Sequence, residues 1–206
     1  MSGDREVLAW AGDDREVWRN LTDRFPHPYS LTDADEWIAR CLLEGQPHRN
    51  FAIVVDSRAV GGIGLELLSQ EKRHLANLGY WLARSVWNQG IGTAALLKFT
   101  EYALAAFDVE RLQVSVFAWN PASARVLEKC GYLLEGRLRG AVVKGSEVTD
   151  EPVYGLLRQS RRSDHPVALK HSLSRHCQLA AGGRGPPSSR QLSANIVSQS
   201  SRRWCS

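Results

Sequence analysis

The chain predicts an α/β (α+β) fold: one domain with a mixed sheet flanked by helices over residues 1–158, then a basic extension over 159–206. Three observations lead there. Short runs rich in β-branched residues alternate with stretches of helical spacing. Two of those runs, "LGYWLA" and "RLQVSVFAW", enclose one long helical pattern, as a βαβ unit does. From Gln159 onward the composition changes: eight Lys or Arg face a single acid, Asp164, in a stretch rich in Ser, Gly and Arg.

The elements follow in order. "DDREVWRNL" reads as a short helix, and "REVLAW" before it is compatible with helix. "RFPHPYS" is a loop punctuated by proline. "TDADEWIARCLL" is a helix with Thr32 as its cap, Asp35 three residues on, and Trp37, Ile38, Cys41 and Leu42 on one side. "FAIVVD" and "AVGGIGLELLS" are strands joined at Ser57–Arg58 as a hairpin. The glycines from Gly61 lie inside the second strand, so they read as a bulge or a close backbone approach. "ANLGYWLA" is a third strand. Ile91 to Phe107 is a helix with Leu96, Leu97, Thr100, Leu104 and Phe107 on its apolar side. "RLQVSVFAW" is the next strand. "PASARVLEKC" is a helix with Pro121 in its first turn and Gly131 at its end. Two strands around "KGSE" finish the domain.

Composition narrows the function. With 43% hydrophobic and 23% charged residues, the chain has the make-up of a soluble globular protein. No apolar run reaches the roughly 18–20 residues of a membrane span, and the N-terminus carries acids where a signal peptide is basic and then apolar. Cys41, Cys130, Cys177 and Cys205 show no metal-ligand spacing. A cytoplasmic protein with reduced thiols and no metal is the expectation. Residues 1–158 hold 18 basic against 21 acidic residues, so the basic balance belongs to the tail. A body that binds nucleic acid is therefore not supported, and the tail is left open on that point. The tail's composition predicts disorder, because it offers too little apolar surface to offset its ordering entropy.

"WNQGIGTAALLKF" is the motif that carries chemistry. A P-loop needs a Gly-Lys-Ser/Thr that is absent here. The dinucleotide fingerprint matches loosely, but "RSVWNQ" separates the glycines from their strand and Asn120 ends the next strand where an acid is needed. A third design fits: a strand, a loop, and a helix whose glycine-rich first turn offers free amides to an anion. The other reading is a helix start that uses glycine only to turn.

"LGYWLARSVWNQGIGTAALLKFTEYAL" followed by "RLQVSVFAWNPASARVLEKCGYLLEG" resembles the GNAT superfamily of acetyl-CoA-dependent N-acetyltransferases. The similarity is nearest to the branch that acetylates the N-terminal Ser or Ala of ribosomal proteins, and it covers about Trp18 to Arg158. The resemblance implies a mostly antiparallel sheet whose central strands splay apart. It places the pyrophosphate of acetyl-CoA, the acetyl donor, on Trp87, Asn88, Gln89, Gly90, Ile91, Gly92 and Thr93. In the family motif, Gln/Arg-x-x-Gly-x-Gly/Ala, Gly90 and Gly92 match and Trp87 replaces Gln or Arg. The pantetheine arm is implied to pair with the backbone of Trp81, Leu82 and Ala83, and Asn120 to bond that arm or cap the following helix.

Direct transfer needs a neutral amine, stabilisation of an oxyanion and a hydrogen for the departing thiolate. Ser123 is the candidate donor, because Leu127 stands where many relatives have a tyrosine; helix capping is its other reading. Glu66 is the candidate base and Glu135 the second option. His27, Tyr29 and Trp37 are expected near the acceptor mouth. The acceptor implied is a primary amine, a protein N-terminus first and a small amine next; a silent acetyl-CoA-binding or partner-binding module is the alternative. Relatives begin with a strand that is missing or altered here at "REVLAW", which predicts an open sheet edge.

Overall fold

The computed structural model describes residues 3–159 and 195–197. Three helices come first. α1 (Gly3–Gly12) occupies the "REVLAW" segment, so no strand precedes it among the described residues. α2 (Arg15–Arg19) is capped by Asp14, whose side chain accepts from the amides of Glu16 (2.8 Å) and Val17 (3.4 Å). α3 (Leu31–Leu43) begins earlier than the sequence suggests. Its cap is Ser30, paired with Asp33 in a reciprocal box, and Thr32 lies inside the first turn.

β1 (Asn50–Val55) and β2 (Arg58–Leu67) form the expected hairpin, turning at Asp56–Ser57, both at positive φ. β3 (Leu75–Leu82) runs antiparallel to β2. α4 (Ile91–Ala106) then crosses over to β4 (Arg111–Ser115), which lies parallel to β3. α5 (Pro121–Lys129) leads into the antiparallel pair β5 (Leu133–Lys144) and β6 (Glu147–Leu157). With β7 (Asn195–Val197) the sheet order is β5-β6-β4-β3-β2-β1-β7, a mixed and mainly antiparallel sheet.

Each face of the sheet buries its own cluster. Beneath α4 and α5 lie Ile53, Ile63, Leu78, Leu96, Phe99 and Leu112. There the hydroxyls of Thr100 and Tyr132 pair at 2.9 Å, which satisfies two buried polar groups. On the opposite face α1, α3 and the loop before α3 bring Leu8, Ala9, Tyr29 and Ala34 against Ala52 and Ala59. Gly62 explains the glycine run in β2: a Cβ there would stand 2.8 Å from the Trp81 indole nitrogen, so the ring crosses the strand only because that position is bare. The register also shifts at Ile53/Val54, so a bulge accompanies the close approach.

The central strands part company. β3 and β4 pair only at Leu75↔Arg111, Ala76↔Leu112 and Asn77↔Gln113. Past that point β3 stays with β2 as far as the Ala83 amide on the Val60 carbonyl (2.7 Å). The chain after β4 stays with β6, through Val116 N–H to Pro152 O and Ala118 N–H to Asp150 O, both 3.0 Å. Each strand keeps its outer partner, and a wedge opens between them.

Arg158 ties down the end of β6. Its amide donates to Glu110 O (2.9 Å), and its guanidinium reaches the carbonyls of Phe107 and Val109 and the carboxylate of Glu110. The expected disorder of residues 159–206 falls mostly outside the described residues. Asn195–Val197 depart from it, pairing as β7 with Val54, Ile53 and Ala52 of β1. The sheet edge expected to be open thus carries a strand from the tail.

Candidate active site

The wedge has one polar rim of backbone. In an antiparallel ladder, alternate residues turn their N–H and C=O to one neighbour. Because the Ala83 amide is spent on Val60 in β2, Trp81, two residues back and opposite Gly62, faces β2 as well. That narrows the sequence expectation for the pantetheine arm. Of Trp81, Leu82 and Ala83, only Leu82 turns its peptide groups to the wedge, together with Leu78 and Tyr80. The Leu82 carbonyl already accepts the Trp87 indole N–H at 2.9 Å. Trp87, where relatives carry Gln or Arg, therefore tethers the loop to the strand.

The glycine turn completes one end. Asn88 (φ 59) and Gly90 (φ 77) both take the left-handed region, and the Gln89 side chain donates to Ser85 O (3.0 Å). Gly90 caps α4 without any side-chain bond. The first bond along the helix runs from Ala94 N–H to Gly90 O (3.0 Å), so the amides of Ile91, Gly92 and Thr93 have no acceptor within the helix. Free amides and the helix dipole make a site for an anion. Gly92 is buried, and a Cβ on it would lie 3.4 Å from Leu82 Cδ1 and 3.8 Å from Val126. Both are ordinary van der Waals contacts, so a methyl there would fit against β3 and α5.

Across the wedge, Asn120 Oδ1 accepts the Ser123 amide (3.1 Å), so Asn120 is the cap of α5. The Ser123 hydroxyl does something else: it pairs with the Tyr80 phenol at 2.9 Å. Burial pushes the Tyr80 phenol up to about 12, while its bond to Ser123 pulls the other way.

The two candidate bases differ. Ile63 and Leu65 point into the core under α4, so alternation puts Glu66 on the opposite face with Trp81. Glu66 lies opposite Asn77, near the closed end of the wedge, about 10 Å along the strand from Tyr80. Its carboxylate is 60% exposed and 3.9 Å from Arg24. Glu135 is held by Arg111 through two bonds, one of 2.7 Å, and this lowers its pKa. A carboxylate held charged by a guanidinium is a poor base.

The remaining expected residues pack beside the Glu66 face. His27 stacks on Trp18 at 5.3 Å and lies 3.5 Å from Asp13. Tyr29 is buried and stacks on Phe25, and Trp37 packs near Gly62. An open cavity of about 930 Å³ lies beside Ala83–Ser85, walled by Trp10, Tyr29 and Leu31.

The expected closing hairpin around "KGSE" is present, but sequence reasoning missed that its tip borders this face. The tip of β5–β6 reaches α2: Lys144 Nζ is 2.6 Å from Asp23 Oδ1 and 3.9 Å from the centre of the Trp18 ring. Arg19 bonds Glu147 (2.9 Å) and lies over Trp119 (4.9 Å), whose buried indole N–H has no partner among the described residues. These partners stand at least 100 residues apart in the chain, beyond the reach of local pattern. Tyr80 carried a readable signal, since it shares the two-residue alternation of Leu78 and Leu82.

The model of the GNAT acetyltransferase domain matches residues 1–133. The chain belongs to the GNAT acetyltransferase family. Among its relatives is an N-acetyltransferase, p20, of Bacillus licheniformis, uncharacterised, 28% identical over 160 residues that cover 76% of this chain and 88% of p20. The putative ribosomal N-acetyltransferase YdaF of Bacillus subtilis is 32% identical over 107 residues, covering 52% of this chain and 58% of YdaF. Among solved structures, Mycobacterium smegmatis RimJ in complex with CoA-disulfide shares the fold, with a TM-score of 0.65 and 22% identity, over 76% of this chain and 79% of that one. This GNAT protein is an acyltransferase that uses acetyl-CoA as donor to an amine nitrogen. Among the described residues, no cluster of His, Cys, Asp and Glu suits a metal ion, and no helix is long and apolar enough to cross a membrane.

Proposed function

We propose that this GNAT enzyme acetylates a protein N-terminal amine by direct attack on acetyl-CoA. The observation that carries the reading is the wedge between β3 and β4, with the peptide groups of Tyr80 and Leu82 turned into it and the uncapped start of α4 at its mouth. The pyrophosphate rests on the amides of Gly90–Thr93. The pantetheine arm lies along Leu82 and Tyr80, and the thioester sits near the closed end of the wedge.

The acceptor comes from the face that bears Glu66, opposite Ser123. A neutral amine nitrogen attacks the thioester carbon, and the carbonyl oxygen takes up the charge. As the C–S bond breaks, its electron pair goes to sulfur and Ser123 passes its hydroxyl hydrogen to it. Water bridges the amine to Glu66, because the strand spacing leaves about 10 Å between Glu66 and Tyr80. The proton shed by the nitrogen passes into that water, and the serine regains a proton through solvent.

Likeness to the putative ribosomal N-acetyltransferase supports a protein N-terminus as acceptor. Thiol release from acetyl-CoA, measured with peptides that begin with Ser, Ala or Met and with small polyamines and aminosugars, tests the assignment. Release with peptides alone supports it. Release with small amines alone replaces the acceptor, and tight binding of acetyl-CoA without any release overturns catalysis.

A further inference from the structure

We infer that Tyr80 is a positioning residue that aims the Ser123 hydroxyl at the departing sulfur. The inference rests on the role just given to Ser123. Its starting point is the 2.9 Å contact between the two hydroxyls, made between β3 and α5 across 43 residues of sequence. Ser123 does not spend its hydroxyl on capping, since its own amide is held by Asn120. No phenol comes from one turn further along α5, because Leu127 there is fully buried in the core.

A serine hydroxyl has one hydrogen and two lone pairs. Left alone, that hydrogen rotates among all nearby acceptors. The phenol is the more acidic of the two groups, so it donates and Ser123 Oγ accepts. The one serine hydrogen is then free to point at sulfur. Tyr80 packs against the core beneath α4, which fixes the donor before substrate arrives. Tyr80 keeps its own proton throughout: sulfur receives the serine hydrogen, the serine regains a proton through solvent, and no tyrosinate forms. The opposite polarity, with Ser123 donating to Tyr80, would hold the serine hydrogen away from the thiolate.

The two polarities give opposite results on Tyr80→Phe, which keeps the ring and removes the oxygen. The full chain is assayed as Tyr80→Phe, Ser123→Ala and the double variant. kcat is taken from thiol release per acetyl-CoA-binding site, Kd from calorimetry, and folding from the melting temperature. Tyr80→Phe is expected to lower kcat about tenfold, less than the roughly 100-fold or more of a lost general acid because Ser123 itself remains, with Kd for acetyl-CoA within about twofold. The double variant is expected to be no slower than Ser123→Ala alone, since Tyr80 acts only through Ser123. An unchanged or raised kcat in Tyr80→Phe overturns the inference, and so does full additivity of the two losses. A fully active Ser123→Ala enzyme instead overturns the role of Ser123 itself, which separates the two failures.

Discussion

Lys144, with a side chain only 3% exposed, places its ammonium 2.6 Å from the carboxylate of Asp23, which is 73% exposed. The pair is lopsided, and the two halves are not equivalent on removal. Asp23→Ala strands a buried ammonium, and a lost partner of a buried charge costs several kcal/mol when both groups are buried. Because Asp23 is mostly in water, screening reduces that to about 1–3 kcal/mol. Lys144→Met leaves Asp23 solvated and keeps the packing on Trp18, so it loses at most about 1 kcal/mol. Urea midpoints of the two variants are expected in that order.

Ser123→Ala separates chemistry from capping. Asn120 still holds the first turn of α5, so the helix keeps its cap. The Tyr80 hydroxyl loses its partner in a buried site, a loss of about 1–3 kcal/mol in stability. kcat is expected to fall roughly 10- to 100-fold, while acetyl-CoA affinity measured by calorimetry stays within about twofold. A normal kcat at a lowered melting temperature removes Ser123 from the mechanism.

Gly90 is the cleaner probe of the phosphate site. A Cβ there meets nothing within 4 Å, so the side chain of Gly90→Asp extends into open space and its charge opposes an anion. Acetyl-CoA affinity is expected to fall at least tenfold, about 1.4 kcal/mol. The positive φ adds strain that Asp tolerates better than most residues. Gly92→Ala acts differently, because its methyl makes an ordinary van der Waals contact with Leu82 at 3.4 Å. It is expected to leave the melting temperature nearly unchanged, so a loss of affinity there reports the binding site.

Acid destabilises the domain through three carboxylates. Glu135 is lowered by its bonds to Arg111, Asp33 by Ser30, and Asp150 by the Gly140 amide. A depressed pKa in the folded state gives stability above the unfolded value, and that stability is lost as pH falls through the folded value. Unfolding midpoints are therefore expected to hold above about pH 4.3 and to drop below it. Glu135→Gln is expected to flatten part of that drop, and an unchanged acid profile in that variant counts against the Arg111 pairing.

Removal of residues 159–206 is expected to leave acetyl-CoA affinity within about threefold, ~0.65 kcal/mol, because β2 and β1 separate β7 from β3 in the sheet. The truncated chain bares the outer edge of β1, which invites pairing between copies. Light scattering against concentration is expected to show more association than in the full chain. A larger loss of affinity ties the tail to the site.

What could be read from the sequence was local. Pro121 and Gly131 bracket α5, the apolar spacing from Leu96 to Leu104 marks α4, and the β-branched runs mark β1 and β4. The glycine turn was legible because a positive φ and an uncapped helix start both leave a chemical trace. Two hydroxyl residues two positions apart compete at the start of α3, since Ser30 and Thr32 can both cap, and the extended backbone at Ser30 decides. Which of Trp81, Leu82 and Ala83 faces the wedge depends on pairing parity, which a single strand does not encode. Partnerships such as Tyr80–Ser123 and Lys144–Asp23 exist only once distant segments meet.

The seat of β7 sets an order of events during synthesis. β1 ends at Val55, and the strand that covers its outer edge begins at Asn195. At a ribosomal speed of 5–20 residues per second, the intervening stretch of about 140 residues takes roughly 7–30 s to make. Every other strand of the sheet has left the ribosome by then. A nascent chain thus forms the β3–β4 wedge beside an uncovered rim, and the late-made Asn195–Val197 acts as the clasp.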